Sequence, residues 1–341
     1  MKLLVTGGCG FIGTNFIRAH LREHPHDTIV NIDLLTYAGN PENLKDLEQQ
    51  RSYIFVHGDI ADAQLVGRLF ETHRFDAVIN FAAESHVDRS IENPHVFLRT
   101  NVLGTQTLLD AARRHGVGRF IQISTDEVYG SLGPTGAFSE TTPLSPRSPY
   151  SASKAAADHL ALAYYHTYKL PVLITRCSNN FGPYQYPEKL LPLSIINLLH
   201  DREVPVYGDG LQRREWLHVS DHCRGIELVL EKGRVGEVYN IGGVNEKPNI
   251  EVLQLLLKIL DKPSSLLCHV EDRPGHDRRY AIDSTKIRSE LGWEPQISFE
   301  EGLAATVQWY LENRSWWERI ISGEYRQYYE RMYGGRRKLT K

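Results

Sequence analysis

The chain has 341 residues, 41% of them hydrophobic, which is enough to bury a large core in two lobes or one elaborate domain. A formal net charge of −3 argues against a nucleic-acid partner, and no apolar run is long enough to cross a bilayer, so a soluble, cytoplasmic chain with no membrane partner is expected. Cys9, Cys177, Cys223 and Cys268 form no CxxC pair, and a chain of this size needs no disulfide stapling, so reduced thiols are expected.

In chain order, a β-rich run at 2–6 leads into Gly7-Gly8-Cys9-Gly10-Phe11-Ile12-Gly13 and an amphipathic helix at 11–23. Further strands are predicted at 28–33, 53–57, 77–82, 119–124 and 172–177, with helices at 62–73, 95–115 and 149–168. Alternation of this kind predicts the α/β class, with a Rossmann-type doubly wound parallel sheet built from right-handed βαβ units. Glycines and prolines punctuate 130–148, predicting a loop over the site. Segments at 215–231 and 236–242 read as a helix and a strand that return to the sheet. The expected organisation is therefore interleaved: 1–178 with returning segments at about 213–242 form a nucleotide-binding unit, and 179–341 form mainly a smaller C-terminal substrate-binding lobe. The aromatic end, from Trp309 and Tyr310 through Trp316 and Trp317 to Tyr325, Tyr328 and Tyr329, is read as helical packing. Arg336, Arg337, Lys338 and Lys341 are read as a solvated tail.

Gly7, Gly10 and Gly13 lie between a strand and a helix, where missing side chains let the backbone approach a pyrophosphate at the helix N-terminus. Asp33 ends the second strand, suited to accept hydrogen bonds from an adenosine ribose, which favours NAD over NADP. Asp59-Ile60 and Phe81-Ala82-Ala83 follow the third and fourth strands, at the sheet edge where ligands bind. The fifteen histidines include His24 and His26 around a proline, but no HExxH or comparable ligand spacing is read among them, and no metal site is predicted.

Two further segments carry chemistry. Tyr150 and Lys154 are one helical turn apart, so the ammonium can sit near the phenol and favour its ionised form. Thr125-Asp126-Glu127 adds two carboxyls that oxidation alone would not require, whereas loss of water needs a base for a carbon acid and an acid for the departing hydroxyl. The pairing suggests redox chemistry coupled to elimination.

These segments resemble the extended short-chain dehydrogenase/reductase superfamily and, within it, the dTDP-glucose 4,6-dehydratase family. The resemblance runs through Thr6 to Gly13, Ala82 to Ser90, Ser124 to Gly130, Tyr150 to Lys154, Asn179 to Tyr184, Pro187 to Pro192 and Asp272 to Tyr280, nearly the whole chain. It implies NAD-dependent oxidation of a nucleotide-activated glucose at C4, elimination of water across C5 and C6, and return of hydride to C6. Tyr150 would take the C4 hydroxyl proton, Glu127 the C5 proton, and Asp126 would protonate the C6 hydroxyl, with Thr125 bonded to the C4 oxygen. It further implies cofactor contacts from Phe11, Ile12, Leu34, Leu35, Thr36, Ser85, Thr100, Lys154 and Asn180. Substrate contacts would come from Ser85, His86, Asn179, Lys189, Leu190, Pro205, Val206, Tyr207, Arg214, Asn249, Asp272, Arg273, Pro274, Gly275 and His276. A homodimer is implied too, pairing the helices near 95–115 and 149–168. The readings left open are a UDP-glucose dehydratase, an epimerase or decarboxylase acting on sugar nucleotides, and a non-catalytic nucleotide sensor on the same fold.

Overall fold

The computed structural model describes residues 1–272, 276–322 and 338–339. Its first half runs β1 (Lys2–Thr6), α1 (Phe11–Glu23), β2 (Thr28–Asp33), β3 (Tyr53–His57), α2 (Ala63–Thr72), β4 (Ala77–Asn80), α3 (Val87–Glu92), α4 (Pro94–Phe97), α5 (Thr105–His115), β5 (Arg119–Thr125), α6 (Pro149–Tyr168) and β6 (Val172–Cys177). There follow β7 (Asn179–Phe181), α7 (Leu190–Leu199), β8 (Val204–Tyr207), β9 (Arg213–His218), α8 (Val219–Lys232), β10 (Val238–Ile241), β11 (Glu246–Pro248), α9 (Asn249–Ile259), β12 (Leu267–Val270), α10 (Thr285–Leu291), α11 (Phe299–Glu312) and α12 (Arg314–Ile321).

Seven parallel strands form the main sheet in the order β10-β6-β5-β4-β1-β2-β3. The chain winds outward from β1 through β2 and β3, then restarts at β4 on the other side, so β1 and β4 flank the switch point where such sheets bind ligands. Both faces are covered, which explains why the strands are mostly apolar and buried on both sides rather than alternating. Leu3, Val5, Ile29 and Ile121 point toward Phe16 and Ile17 of α1 and Ile226 and Val229 of α8. Their neighbours Leu4, Val30 and Phe120 turn to the opposite face, against Val66 and Phe70 of α2, Leu108 and Leu109 of α5, and Ala161 of α6.

The second half builds its own core, in which Ile195, Val204, Val206, Leu253, Leu256, Phe299, Leu303 and Trp317 are buried together. Small sheets frame it, β11-β9-β7 and β12-β8. Trp316 donates its indole N–H to Asn43 Oδ1 at 2.7 Å and Trp317 to the Tyr310 carbonyl at 2.8 Å, so these aromatics are packing groups with satisfied polar ends. Tyr325, Tyr328, Tyr329, Arg336, Arg337 and Lys341 lie outside the described residues. Lys338 is exposed and pairs with Glu203.

Three expectations change. The helix predicted at 95–115 is interrupted by a π-helical stretch, Leu98–Gly104, which lets buried Asn101 donate to the Glu84 carbonyl and the Ser153 hydroxyl and accept from Glu84 N. The segment at 215–231 opens as strand β9, because Trp216 and Leu217 extend the small sheet before α8 starts at Val219. The segment at 130–148 does not cover the cleft. Phe138 and Leu144 bury instead against Tyr280 and Ile282, and Phe138 N donates to the Ala281 carbonyl at 2.9 Å.

Candidate active site

A cleft of about 410 Å³ opens along the carboxyl ends of β1 to β6. Gly7 turns into it with φ +67°, and a Cβ there would stand 2.7 Å from the Ala82 backbone. A Cβ on Gly13 would stand 2.5 Å from the Gly7 carbonyl, so the chain can crowd the start of α1 only with glycine. Asp33 receives Cys9 N at 2.9 Å and Leu35 N at 2.8 Å, one on each carboxylate oxygen, leaving a further lone pair on each for a ribose hydroxyl. Burial pushes its carboxyl above the ordinary range, and the two backbone N–H groups oppose that shift. Asp59 accepts from Ala61 N at 2.8 Å and from Arg99 at 2.6 Å. A glycine cradle that side chains would fill, a helix N-terminus and an acid at the end of β2 together fit a dinucleotide.

β5 carries the chain into the cleft at Thr125, whose hydroxyl caps a short 3₁₀ turn, Asp126–Tyr129, by accepting Glu127 N at 3.3 Å. Asp126 is 2% exposed. Burial, and then the neighbouring Glu127 and Glu215 carboxylates, push it well above the usual carboxylate range, with Arg214 opposing. Burial thus favours the protonated form of Asp126. Its Oδ2 is buried without a hydrogen-bond partner among the described residues.

Ser148 and Ser151 form a reciprocal capping box, with Pro149 at the first turn, and so fix the start of α6 and the positions of Tyr150 and Lys154. The phenol of Tyr150 is pushed well above its ordinary value by burial first and by the Glu127 carboxylate second, while a hydrogen bond with Thr125 pulls it down. Lys154 is pushed down by burial, and its ammonium donates to the Ile123 carbonyl at 2.6 Å. The helical spacing brings the ammonium and phenol into one cleft, yet Lys154 spends its contact on the strand backbone rather than on Tyr150, an arrangement that the i, i+4 reading did not anticipate.

On the other wall, Lys189 donates to the Ser85 carbonyl at 2.9 Å, and His86 caps α3. Buried Arg214 donates to the carbonyls of Arg213 and Asp277 and stacks over Tyr280 at 4.5 Å. Thr36, Leu34, Ile60, Phe81, Ala83, Thr100, Asn179, Asn180, Leu190, Pro205, Tyr207, Asn249 and His276 also line the cleft. Three expected contacts do not. Val206 alternates away from Pro205 and Tyr207 along β8 and is buried in the second core. Leu35 packs against the first core beneath the loop. Asp272 accepts from Gln212 at 2.8 Å and faces His276 Nδ1 at 2.6 Å, outside the cleft lining. Arg273, Pro274 and Gly275 lie outside the described residues.

Glu188, which lines the cleft, and Tyr37 form a buried group that motif reading did not single out. The Tyr37 hydroxyl donates to Glu188 Oε1 at 3.0 Å, and Arg89 lies 3.8 Å over the Tyr37 ring. Burial pushes Glu188, which lines the cleft, up to about 7. Its position beside Lys189 in the quoted Pro187-Glu188-Lys189 run was the available signal.

The family model for GDP-mannose 4,6 dehydratase matches residues 4–306. A dTDP-glucose 4,6-dehydratase of Xanthomonas campestris pv. campestris (strain B100) is 56% identical to this chain, over 95% of this chain and 97% of that protein. The chain belongs to the dTDP-glucose 4,6-dehydratase family. A crystal structure of DesIV (dTDP-glucose 4,6-dehydratase) from Streptomyces venezuelae, with NAD and TYD bound, is similar at 54% identity and a TM-score of 0.91, covering 94% of this chain and all, 100%, of that one. The UDP-glucose 4-epimerase of Thermotoga maritima, crystallised with UDP-glucose, reaches a TM-score of 0.86 at 31% identity, covering 92% of this chain and 100% of that one. The Rossmann-type sheet is thus common to dehydratases and epimerases, and membership of the dehydratase family agrees with the paired carboxyls Asp126 and Glu127 at the end of β5.

Proposed function

We propose that this chain is a hydro-lyase that converts dTDP-glucose to its 4-keto-6-deoxy derivative, with NAD retained through each turnover. The observation that carries the reading is the side-by-side placement of two carboxyls, the deeply buried Asp126, whose burial favours its protonated form, and Glu127, in the same cleft as the buried phenol of Tyr150. Gly7, Gly10, Phe11, Ile12, Gly13, Asp33, Thr36, Asp59, Ile60, Thr100 and Asn180 would hold the dinucleotide. When bound, it supplies the acceptor for the C4 hydride and returns that hydride to C6.

This chain's residues manage the protons. Tyr150 takes the proton of the C4 hydroxyl as the phenolate, and Lys154 would supply the positive charge in the same cleft that favours this ionised form against burial and the Glu127 carboxylate. A ketone at C4 makes the C5 proton acidic, so the Glu127 carboxylate can remove it only after oxidation, and Glu127 gives the proton back to C5 as hydride reaches C6. Asp126 gives its Oδ2 proton to the C6 hydroxyl, which departs as water. Thr125 Oγ1 donates to the C4 oxygen through both stages. Lys189 and Arg214 suit the diphosphate.

The apolar residues Ile91, Val96, Leu98 and Leu103 are exposed around α3 to α5 and support a homodimer through that face. No described helix is long and apolar enough to cross a membrane. The four free cysteines are consistent with a cytoplasmic location. The division into a nucleotide-binding unit, 1–178 with about 213–242, and a sugar-nucleotide lobe is part of the same proposal.

Incubation with dTDP-glucose and with UDP-glucose, separately, tests the reading. Loss of one water from dTDP-glucose without net NADH is expected, with UDP-glucose processed more slowly. One NAD consumed per product, or an epimer as product, would reject it.

A further inference from the structure

We propose a binding site for a divalent transition-metal ion between α1 and α8, held by His20, His24 and Glu227. It lies where α1 and α8 end, at the amino edge of the sheet, opposite the catalytic cleft. His20 lies in the last turn of α1 and His24 is its C-cap residue, and the two imidazoles sit side by side with ring centroids 4.7 Å apart. They converge on one carboxylate. His20 Nδ1 is 3.0 Å from each Glu227 oxygen, and His24 Nε2 is 3.2 Å from Glu227 Oε1. One ligand atom from each of the three side chains lies within 4.8 Å of the other two.

Groups around the cluster complete the arrangement. The other nitrogen of His20, Nε2, faces Asp27 Oδ2 at 3.2 Å. A proton on Nε2 bonded to Asp27 leaves the Nδ1 lone pair free for a metal, the carboxylate–histidine–metal relay that orients ligating imidazoles. Asp27 is itself anchored by the chain's N-terminal ammonium. Glu231 lies 3.8 Å from His24 Nε2 and offers another oxygen. His20 is fully buried while the His24 side chain is 32% exposed, so the site is rigid on one side and open to an entering ion on the other.

Two imidazoles and a carboxylate suit zinc, copper or nickel rather than magnesium or calcium, which prefer all-oxygen shells. Three protein ligands leave a fourth position for water. The bound ion would tie α1 to α8 and raise stability without touching the reaction. The His-x-x-x-His spacing at 20–24 was present in the sequence, but its third ligand comes 203 residues later, and reading for HExxH passed over it.

Zinc titration of untagged, chelator-treated full-length protein, followed by calorimetry and thermal melting, tests the site. We expect one tight equivalent per chain, a higher melting temperature with zinc, and a visible absorption band when cobalt(II) replaces it. His24→Ala and Glu227→Gln should each lose that equivalent and the melting shift, and Asp27→Asn should weaken binding about 10-fold or more. His24→Ala removes a partly exposed side chain, so its melting in chelator serves as the folding control. Absence of a tight equivalent in the parent would overturn the proposal and leave the cluster as a hydrogen-bonded staple between α1 and α8. Zinc affinity and melting shift unchanged in both His24→Ala and Glu227→Gln would overturn it as well.

Discussion

Asp126→Asn separates the acid from the rest of the machinery. The amide preserves side-chain volume, and its oxygen can still accept the Thr125 hydroxyl that now lies 3.3 Å from Asp126 Oδ1. The Oδ2 position has no partner among the described residues, so an N–H₂ there replaces one unsatisfied donor by another and should leave folding nearly unaffected. What disappears is the transferable proton. Positioned proton transfer contributes about 10²- to 10⁴-fold, so elimination should slow by that factor, about 2.7–5.4 kcal/mol of barrier. Rapid-mixing absorbance should still show bound NAD reduced on adding dTDP-glucose, and mass spectrometry in deuterated water should still show C5 exchange, because Tyr150 and Glu127 remain. Stability gives a second readout. Asp126 lies above its usual 3.8 in the folded chain, so the proton is held more tightly folded than unfolded. Its contribution is complete below about 3.8 and is lost as pH rises through the folded value, whereas asparagine cannot ionise. The variant's melting temperature should therefore gain on the parent's as pH rises. Product formation at the parent rate, with a pH-independent melting difference, would refute the assignment of Asp126 as the buried acid.

Glu127→Gln should still accumulate bound NADH with dTDP-glucose yet fail to exchange the C5 hydrogen; normal deuterium incorporation would mean that the base is another group. Gly7→Ala puts a methyl 2.7 Å from the Ala82 backbone at φ +67°, so NAD affinity measured by fluorescence titration should fall steeply, while unchanged affinity would count against the cradle. Asp158→Ala leaves Arg176, 3% exposed and now bonded to Asp158 at 2.9 Å, as an uncompensated buried charge. Urea unfolding should show a loss of about 3–5 kcal/mol, and a loss close to zero would show that Arg176 finds another partner. Glu188, raised from 4.5 to about 7, contributes stability that is complete below about 4.5 and lost as pH rises through about 7. Glu188→Gln should remove that slope from a plot of melting temperature against pH, and an unaltered slope would place the titration elsewhere.

The main sheet was legible because its strands are short apolar runs punctuated by helices, and both signals are local. Lys2–Thr6 and Val172–Cys177 match their expected limits, and Val238–Ile241 joins the sheet as the returning strand. Local patterns do not show which face of a strand a distant segment covers. Val206 matched a binding motif, but the alternation of β8 buries it beneath the second lobe. The loop at 130–148 carried the right turn residues, and only tertiary contact with Tyr280 and Ile282 draws it away from the cleft. In the candidate site, motif spacing singled out Thr125, Asp126, Glu127, Tyr150 and Lys154, which the structure brings into one cleft. It could not find the opposed shifts of Asp126 and Lys154, because both depend first on burial, and that of Asp126 also on Glu215 and Arg214 from β9.

The returning strand β10 has a consequence for synthesis on the ribosome. Until Ile241 has been made, β6 presents an open edge to its surroundings, because its outer neighbour in the sheet is β10. The 64 residues from Cys177 to Ile241 emerge over roughly 3–13 s at ordinary translation rates. For that interval the nascent chain carries a fully buried-type strand, Val172–Cys177, with an unpaired ladder, the arrangement most prone to pairing with another chain. Slowing translation after Cys177 should therefore increase aggregation more than slowing it after Ile241, so the interleaved chain path links yield in the cell to the pace of one segment.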